Sequence, residues 1–480
     1  MNKKLISTAF LYFLFMTSFL SAGEKALDSA ACVRIGVERN YGIKIAEHDV
    51  SGAGEITARI NAQYEPVLSA GLSKLNIENT GANAVYGDVI QKDNLTMSAS
   101  KKLSSTGGNL SVSWENERDD SASAFKTMAS APNPTFNTDV TLAYNQPLLK
   151  NFAGRNDKSA FEAAETGEKM SAYALEIAVN VLASAIEKAF IELGFQEQNL
   201  QTQKKFLKHD RELLDVNKRK YADGLIEEAD LIATESATAI KEMSVLLSED
   251  RVMNARDALR NIMGLAERDA YVFDTSSSAE YGKSPQKIKE ADVLRKAFAK
   301  RPDIRAAELK IKIDKLNKKI RKNETLPGLE LNTRYGLTGS AGSWGDDYDS
   351  FEPNWYIGLS LKYFPAGRMA GSLLRSGELA VLKSAVQFEE IMSAVKKECR
   401  EITRRVNTHG KYLRSAEKIL ILQKKKLELE ERKFRQGRSS LQWLLTFRDD
   451  LVRAEIDHKK ALADYGKALA DLKLITGEGR

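Results

Sequence analysis

Histidine and cysteine, residue types that often form metal and nucleophilic sites, are few in this chain. The four histidines, His48, His209, His409 and His458, are scattered without metal-ligand spacing. The sequence contains no nucleophile elbow and no phosphate-cradling glycine loop, and TGG at Thr106–Gly108 is typical of a turn. The residue types and their spacing therefore indicate that the chain is not an enzyme and has no cofactor or metal site.

A single glycine between two strongly charged helical patterns occurs twice. KRKYADGLIEEADLIATE at 218–235 is similar to ERKFRQGRSSLQWLLTFR at 431–448. Gly224 corresponds to Gly437 at an offset of 213 (437 − 224). The same offset holds without a gap over 155–264, so the two stretches belong to a longer internal repeat.

Upstream of this block the offset changes. Pro66 corresponds to Pro327 at an offset of 261 (327 − 66). The difference between the two offsets (261 − 213 = 48) places a single surplus segment between Pro66 and Gly154. The pattern predicts a tandem duplication in which one architecture is built twice. The first repeat covers 24–264 and the second covers 290–477.

The N-terminal segment has the pattern of an export signal. Lys3 and Lys4 precede an apolar run at 5–20 and small residues at 21–23. This predicts a cleaved signal peptide at 1–23, because a permanent membrane anchor would need about 20 apolar residues. The net charge is +6, and charges of both signs are spread throughout the chain. This balance argues against a nucleic-acid partner.

Four segments alternate apolar and polar residues with the period of a β-strand, at 67–73, 139–144, 329–337 and 355–363. Aromatic residues bracket the apolar face of the last segment, which consists of Trp355, Ile357, Leu359, Leu361 and Tyr363. Such a face predicts a strand with lipid on one side and a watery lumen on the other. A half-buried strand of a soluble sheet alternates identically. The export signal and the long helices described next favour the membrane barrel.

Two segments of the chain, 155–222 and 368–435, contain no proline and predict helices of about 100 Å at about 1.5 Å per residue. Leucine recurs every seventh residue towards the end of each segment, which predicts a coiled-coil seam. Shorter return helices are expected at about 228–263 and 441–476. Gly224 and Gly437 lie at the turns, where glycine adopts the left-handed conformation that ends a helix.

Several motifs accompany these turns in a fixed order. They are QPLLKNFAGR at 146–155, RPDIRAAE at 301–308 and LADYGKALADLKLITG at 462–477, together with a proline before the first strand of each repeat. In this order and with the duplication, nearly the whole mature chain resembles the TolC-like outer-membrane efflux and secretion channels.

The resemblance implies a mixed, mainly α fold. Three copies would share one outer-membrane β-barrel and one long periplasmic α-helical coiled-coil barrel. The implied function is export, either in a tripartite efflux system or in type I secretion. The implied partners are outer-membrane lipid, a periplasmic adaptor of the membrane fusion class and an inner-membrane transporter of the RND, ABC or MFS class. The alternative is a periplasmic coiled-coil adaptor, which would lack the strands between its helices.

The surplus segment of the first repeat departs from the family pattern. It contains two alternating stretches around the turn SSTGG at 104–108, which predict an extra hairpin within the strand region at about 67–145. Three arrangements of this hairpin stay open. It widens the barrel, extends above it or folds into it.

The resemblance also assigns roles at the two helix tips. The expected adaptor-docking residues are Tyr221, Gly224, Leu225, Phe434, Gly437, Arg438 and Ser439. The gate candidates are Asp230, Arg438 and Trp443, although the family's second tyrosine is Phe434 here and its arginine position is occupied by Ser439. For Asp230 the alternative role is a carboxylate that interacts with a helix N-terminus.

The chain has two cysteines, Cys32 and Cys399. An exported protein is permitted a disulfide. Cys32 precedes Pro66 by the same separation along the chain (66 − 32 = 34) by which Cys399 follows Pro365 (399 − 365 = 34). Around a closed trimer these segments would be neighbours, so any bridge is expected to join different subunits. Two free cysteines are the simpler alternative.

Overall fold

The computed structural model describes residues 26–78, 89–121, 132–266, 269, 271–276 and 287–478. The signal peptide expected at 1–23 lies outside the described residues. The helices are α1 (Ser29–Arg39), α2 (Tyr41–Ala62), α3 (Arg155–Ala222), α4 (Glu228–Met263), α5 (Glu290–Lys300), α6 (Pro302–Glu324), α7 (Arg368–Arg435) and α8 (Leu441–Ile475). The strands are β1 (Val67–Glu78), β2 (Val89–Lys102), β3 (Asn109–Asp119), β4 (Thr135–Pro147), β5 (Gly328–Ala341) and β6 (Glu352–Lys362).

The chain divides into two compact units, each built from separated segments. The helical unit comprises the described residues of Met1–Glu47, Leu175–Pro302 and Ser393–Arg480. The sheet unit comprises the described residues of His48–Ala174 and Asp303–Met392, and it contains all six of the described strands.

The two long helices expected from the sequence are confirmed, since α3 and α7 each contain 68 residues within the expected bounds. Their length follows from the absence of proline over both segments. In the helical unit, residues of α3 and α4 pack together with Cys32 of α1 in an apolar core that includes Ile186, Phe190 and Met263. None of the described helices is both long and apolar enough to cross a membrane.

Glycine ends α3 and α7 as the sequence predicts. Gly224 has φ +69° and Gly437 has φ +71°, which is the left-handed region. The Leu225 N–H donates to the carbonyl of Lys220 (2.8 Å), and the Gly224 N–H donates to the carbonyl of Tyr221 (2.9 Å). This pair of bonds is the Schellman motif, which satisfies the last carbonyls of the helix and turns the chain towards α4.

The six strands form one antiparallel sheet in the order β1-β2-β3-β4-β5-β6. Strands β2 and β3 are the hairpin expected from the surplus segment, and they lie in the sheet between β1 and β4. The sequence left open whether the hairpin widens the barrel, extends above it or folds into it. In the structure the hairpin is part of the sheet itself, so it widens the sheet by two strands. Strands from distant parts of the chain meet where β4 pairs with β5.

Candidate functional site

One face of the sheet is apolar on every strand. The strand registers place on this face Leu68, Ala70 and Leu72 of β1, Leu95, Met97 and Ala99 of β2, Leu110, Val112 and Trp114 of β3, Val140, Leu142 and Tyr144 of β4, Leu331, Tyr335 and Leu337 of β5 and Trp355, Ile357, Leu359 and Leu361 of β6. Many of these side chains are exposed, including Leu72 at 82% and Leu359 at 68%. A continuous exposed apolar surface of this kind marks contact with lipid or with another protein.

The opposite face of the sheet is polar. Hydroxyl and amide groups bond across neighbouring strands along it. Ser69 and Ser98 pair through their Oγ atoms at 2.7 Å. Asn332 Nδ2 donates to Ser360 Oγ at 3.1 Å. Both pairs are exposed, so this face is suited to contact with water.

A polar cap closes the apolar face at the end opposite to the strand ends that lead into the helices. A short 3₁₀ turn between β5 and β6, Asp346–Ser350, brings the fully buried Asp347 onto this face. The Asp347 carboxylate accepts hydrogen bonds from Asn116 Nδ2 (3.3 Å) and from Thr138 Oγ1. Trp114 Nε1 donates to the Tyr348 hydroxyl at 3.2 Å. The apolar band therefore has a defined limit with a polar and aromatic border.

The five residues expected to face lipid are placed as follows. Trp355, Ile357, Leu359 and Leu361 share the apolar face of β6, and all four are exposed. Tyr363 lies one residue beyond the end of β6 and is also exposed. Contact of these side chains with lipid stays a prediction.

The first helix tip projects its expected docking residues outwards. Tyr221, in the last turn of α3, is partly exposed, and Leu225 beyond the turn is 70% exposed. No side chain or backbone atom lies within 4 Å of the position that a Cβ would take on Gly224. This glycine is therefore required for its backbone conformation and not for close packing.

The second tip contacts the first within the helical unit. The Phe434 ring lies 5.9 Å from Lys220 Nζ and packs beside a core cluster that includes Phe206 and Leu444. Ser439 Oγ donates to Glu430, and this bond lowers the pKa of the Glu430 carboxyl. A surface groove of about 780 Å³ lies beside Gly437 and is lined by Arg438, Ser439, Trp443 and Phe447 among others.

The gate candidates are not joined within one chain. Arg438 and Trp443 are exposed, and Asp230 is half-buried in the first turn of α4. Among the described residues no ion pair connects Asp230 with Arg438. A gate contact would therefore have to join different subunits, and it stays a prediction.

The helical unit also contains a cluster of charged groups that no sequence pattern indicated. Arg448 of α8 lies 3.7 Å from Asp210 of α3 and 3.8 Å from Glu431 of α7, and Lys241 of α4 lies 3.5 Å from Asp449. Burial raises the pKa of Asp210, and the charges of Lys241 and Arg448 act in the opposite direction. The cluster connects all four long helices. Its partners are too far apart in sequence for spacing to indicate them.

Neither cysteine is available at the surface. Cys32 and Cys399 are free thiols, and both side chains are fully buried within one chain. Burial, together with the charge of Asp28, raises the pKa of the Cys32 thiol to about 12, which keeps it protonated and unreactive. The burial favours two free cysteines over a bridge between subunits. Across the described residues, no group of three or more His, Cys, Asp or Glu side chains is arranged to hold a metal ion.

No protein-family model and no curated protein sequence matches this chain. Solved structures do match it. The CmeC outer membrane channel of Campylobacter jejuni has a TM-score of 0.69 and 16% identity, over 94% of this chain and 86% of that one. CusC, described in terms of folding and transmembrane channel formation, has a TM-score of 0.69 and 15% identity, over 96% and 95%. The MtrE outer membrane channel of Neisseria gonorrhoeae has a TM-score of 0.66 and 17% identity, over 94% and 89%.

This chain has the fold of outer-membrane channels. The resemblance to TolC-like channels seen in the sequence is thereby confirmed at the level of fold. The likeness covers almost the whole of each chain, so it includes both the sheet and the long helices. At these identities it carries no residue roles, which have to be argued from the contacts described above.

Proposed function

We propose that this chain is a subunit of an outer-membrane channel for export, with its sheet in the lipid bilayer and its long helices in the periplasm. The observation that carries the proposal is the sheet, whose apolar face is continuous and exposed while its opposite face is polar. Lipid on one side and water on the other is the environment in which both faces are satisfied. The channel fold supports the same conclusion.

Several copies of the chain form the channel. A sheet with two open edges cannot stand alone in a bilayer, because its unpaired backbone groups find no water there. Other copies therefore complete the wall. From the resemblance to TolC-like channels we infer a homotrimer, in which the long helices of three chains form the periplasmic tunnel.

The helix tips are the docking surface for the partners. They carry Tyr221, Gly224 and Leu225 on the first tip and Phe434, Gly437, Arg438 and Ser439 on the second. We assign them to a periplasmic adaptor that connects the channel with an inner-membrane transporter. The proposal covers tripartite efflux and type I secretion alike, since selection of cargo lies with the transporter.

The alternative function is that of a periplasmic coiled-coil adaptor. A water-soluble adaptor would gain nothing from a sheet that exposes large side chains such as Trp355 and Leu359. Cell fractionation separates the two functions, because a channel is recovered with the outer membrane and an adaptor of this kind with the soluble periplasm.

Two neighbouring arginine substitutions on β6 test the proposal at residue level. Leu359→Arg puts a charge on the apolar face and is expected to cost about 2–4 kcal/mol at mid-bilayer. Ser360→Arg puts the same charge on the polar face and should be tolerated. The measurement is the amount of assembled protein in the outer membrane. Equal losses from both variants would contradict a lipid-facing β6.

A further inference from the structure

In the part of the chain that the structure describes, the two edge strands of the sheet, β1 and β6, are both unpaired on their outer side and are similar in exposure and length. β1 pairs only with β2, and β6 pairs only with β5, within the described residues. Every residue of β1 is exposed, and every residue of β6 except Gly358 is exposed. The strands are similar in length, with 12 residues in β1 and 11 in β6. Each edge thus presents a row of unpaired N–H and C=O groups that another strand can complete.

A second copy of the chain fits these edges in direction and in face. In an antiparallel sheet with an even number of strands, the first and last strands run in opposite directions. β6 of one copy can therefore pair antiparallel with β1 of the next. The apolar residues of both strands lie on the same face of the sheet, so head-to-tail pairing continues the apolar surface without interruption.

The β2–β3 hairpin has one apolar face and one polar face, as expected of strands in the wall of a membrane barrel. Its apolar residues align with those of β1 and β4, because Met97 pairs with Ala70 and Trp114 pairs with Val140. Its polar residues line the opposite face, where Asn94 donates to Glu115. Outside the barrel wall, the hairpin would expose its apolar face to water or its polar face to lipid.

The turn of the hairpin is also held firmly at the helical end of the sheet. A Cβ on Gly107 would lie 2.8 Å from the carbonyl oxygen of Asn151 and 2.8 Å from the nitrogen of Gly154. Lys102 Nζ forms an ion pair with Asp157 in the first turn of α3 at 2.8 Å. These contacts fix β2 and β3 in place beside β4.

We propose that both edges are occupied by further copies of this chain, β6 of one against β1 of the next, and that every copy contributes six strands to the wall. Three copies then form an eighteen-stranded barrel. This inference rests on the proposed function. Barrel diameter grows roughly in proportion to strand number, so the barrel would be about one and a half times as wide as a twelve-stranded barrel.

Cysteine pairs within one chain test whether the hairpin is part of the wall. Ala70→Cys with Met97→Cys, and Trp114→Cys with Val140→Cys, join neighbouring strands and should form disulfides when outer membranes are oxidised. Ala70→Cys with Val140→Cys spans three inter-strand spacings, about 14 Å, and should not. A disulfide in the last pair, together with none in the first two, would place β1 beside β4 and overturn the six-stranded wall.

Cysteine pairs between copies test the edges. Leu359→Cys on β6 is combined in turn with Leu68→Cys, Ala70→Cys or Leu72→Cys on the same face of β1. At least one pair should give a covalent ladder that ends at three chains on a denaturing, non-reducing gel. The matched control, Leu359→Cys with Ser73→Cys, places the two thiols on opposite faces of the sheet and should give monomers only. Leu359→Cys alone controls for the two native thiols.

The outcomes separate the inference from the proposed function. A three-chain ladder with disulfides between β1 and β2 and between β3 and β4 supports eighteen strands. A three-chain ladder with a disulfide between β1 and β4 overturns the inference and leaves the channel intact. A ladder that ends at two chains overturns the count of eighteen. A soluble chain with intrachain disulfides and no ladder contradicts both the inference and the proposed function.

Discussion

Gly107 and Gly154 approach each other closely where the inserted hairpin meets the start of α3. Gly107 has φ +73°, and a Cβ there would meet backbone atoms on two residues. Gly107→Ala is therefore expected to destabilise the sheet unit by more than about 1 kcal/mol, since it adds a backbone clash to the cost of a left-handed alanine. The measurement is the temperature at which the assembled oligomer dissociates.

Gly224→Ala is the matched control for this substitution. Its φ of +69° is nearly the same, and the space around it is open. Gly224→Ala should cost only the free energy of a left-handed alanine, without a backbone clash. The temperature at which the oligomer dissociates should stay close to that of the unchanged protein. Similar losses from both variants would mean that the contact between the hairpin turn and α3 contributes little.

His458 of α8 makes the stability of the helical unit depend on pH. Burial and the charges of Lys424 and Lys459 lower its pKa from 6.5, and Glu417 acts in the opposite direction. Below about pH 6.5 the unfolded chain therefore binds more protons than the folded chain, so stability falls as the pH falls through this range. His458→Gln should reduce the difference between urea midpoints at about pH 7.5 and pH 5.5. An unchanged difference would assign the pH dependence to other groups.

At the scale of elements, the four long helices are connected by the charged cluster around Arg448. Arg448 is mostly buried and lies beside the buried Asp210, and removal of a charge from such a pair costs more than an exposed ion pair contributes. Arg448→Met is expected to destabilise the helical unit by about 2–3 kcal/mol, because the buried Asp210 then loses one of the positive charges that offset its burial. Urea unfolding followed by helical circular dichroism measures the loss.

Arg438→Met is the control for the cluster, because Arg438 is exposed at the second tip. It should leave the urea midpoint unchanged. If Arg438 contributes to the gate, the same variant should pass more current in a planar bilayer than the unchanged channel. A loss of stability equal to that of Arg448→Met would show that the contacts of Arg448 contribute no more to stability than an exposed arginine does.

The elements differ in how much of them the sequence predicts. The bounds of α3 and α7 follow from local signals, namely the absence of proline and the glycine after each helix. The alternation of residues such as Leu359 and Ser360 predicts a strand and its two faces. The place of the hairpin between β1 and β4 depends on pairing between segments, and the contact of Asp210 with Arg448 joins positions far apart in the chain. Neither leaves a local pattern.

At the scale of the whole molecule, the assembly is expected to be held together without covalent bonds. Cys32 packs in the core among Ile186, Phe190 and Met263, and Cys399 is equally buried. A bridge between subunits would require both segments to open, because each sulfur lies inside its own chain and a disulfide needs Cα atoms about 4.4–6.8 Å apart. Both thiols in intact outer membranes should therefore resist alkylation, and both should react after denaturation. Denatured, non-reduced protein should then migrate as a monomer, whereas a covalent trimer with no reactive thiol would establish the bridge between subunits.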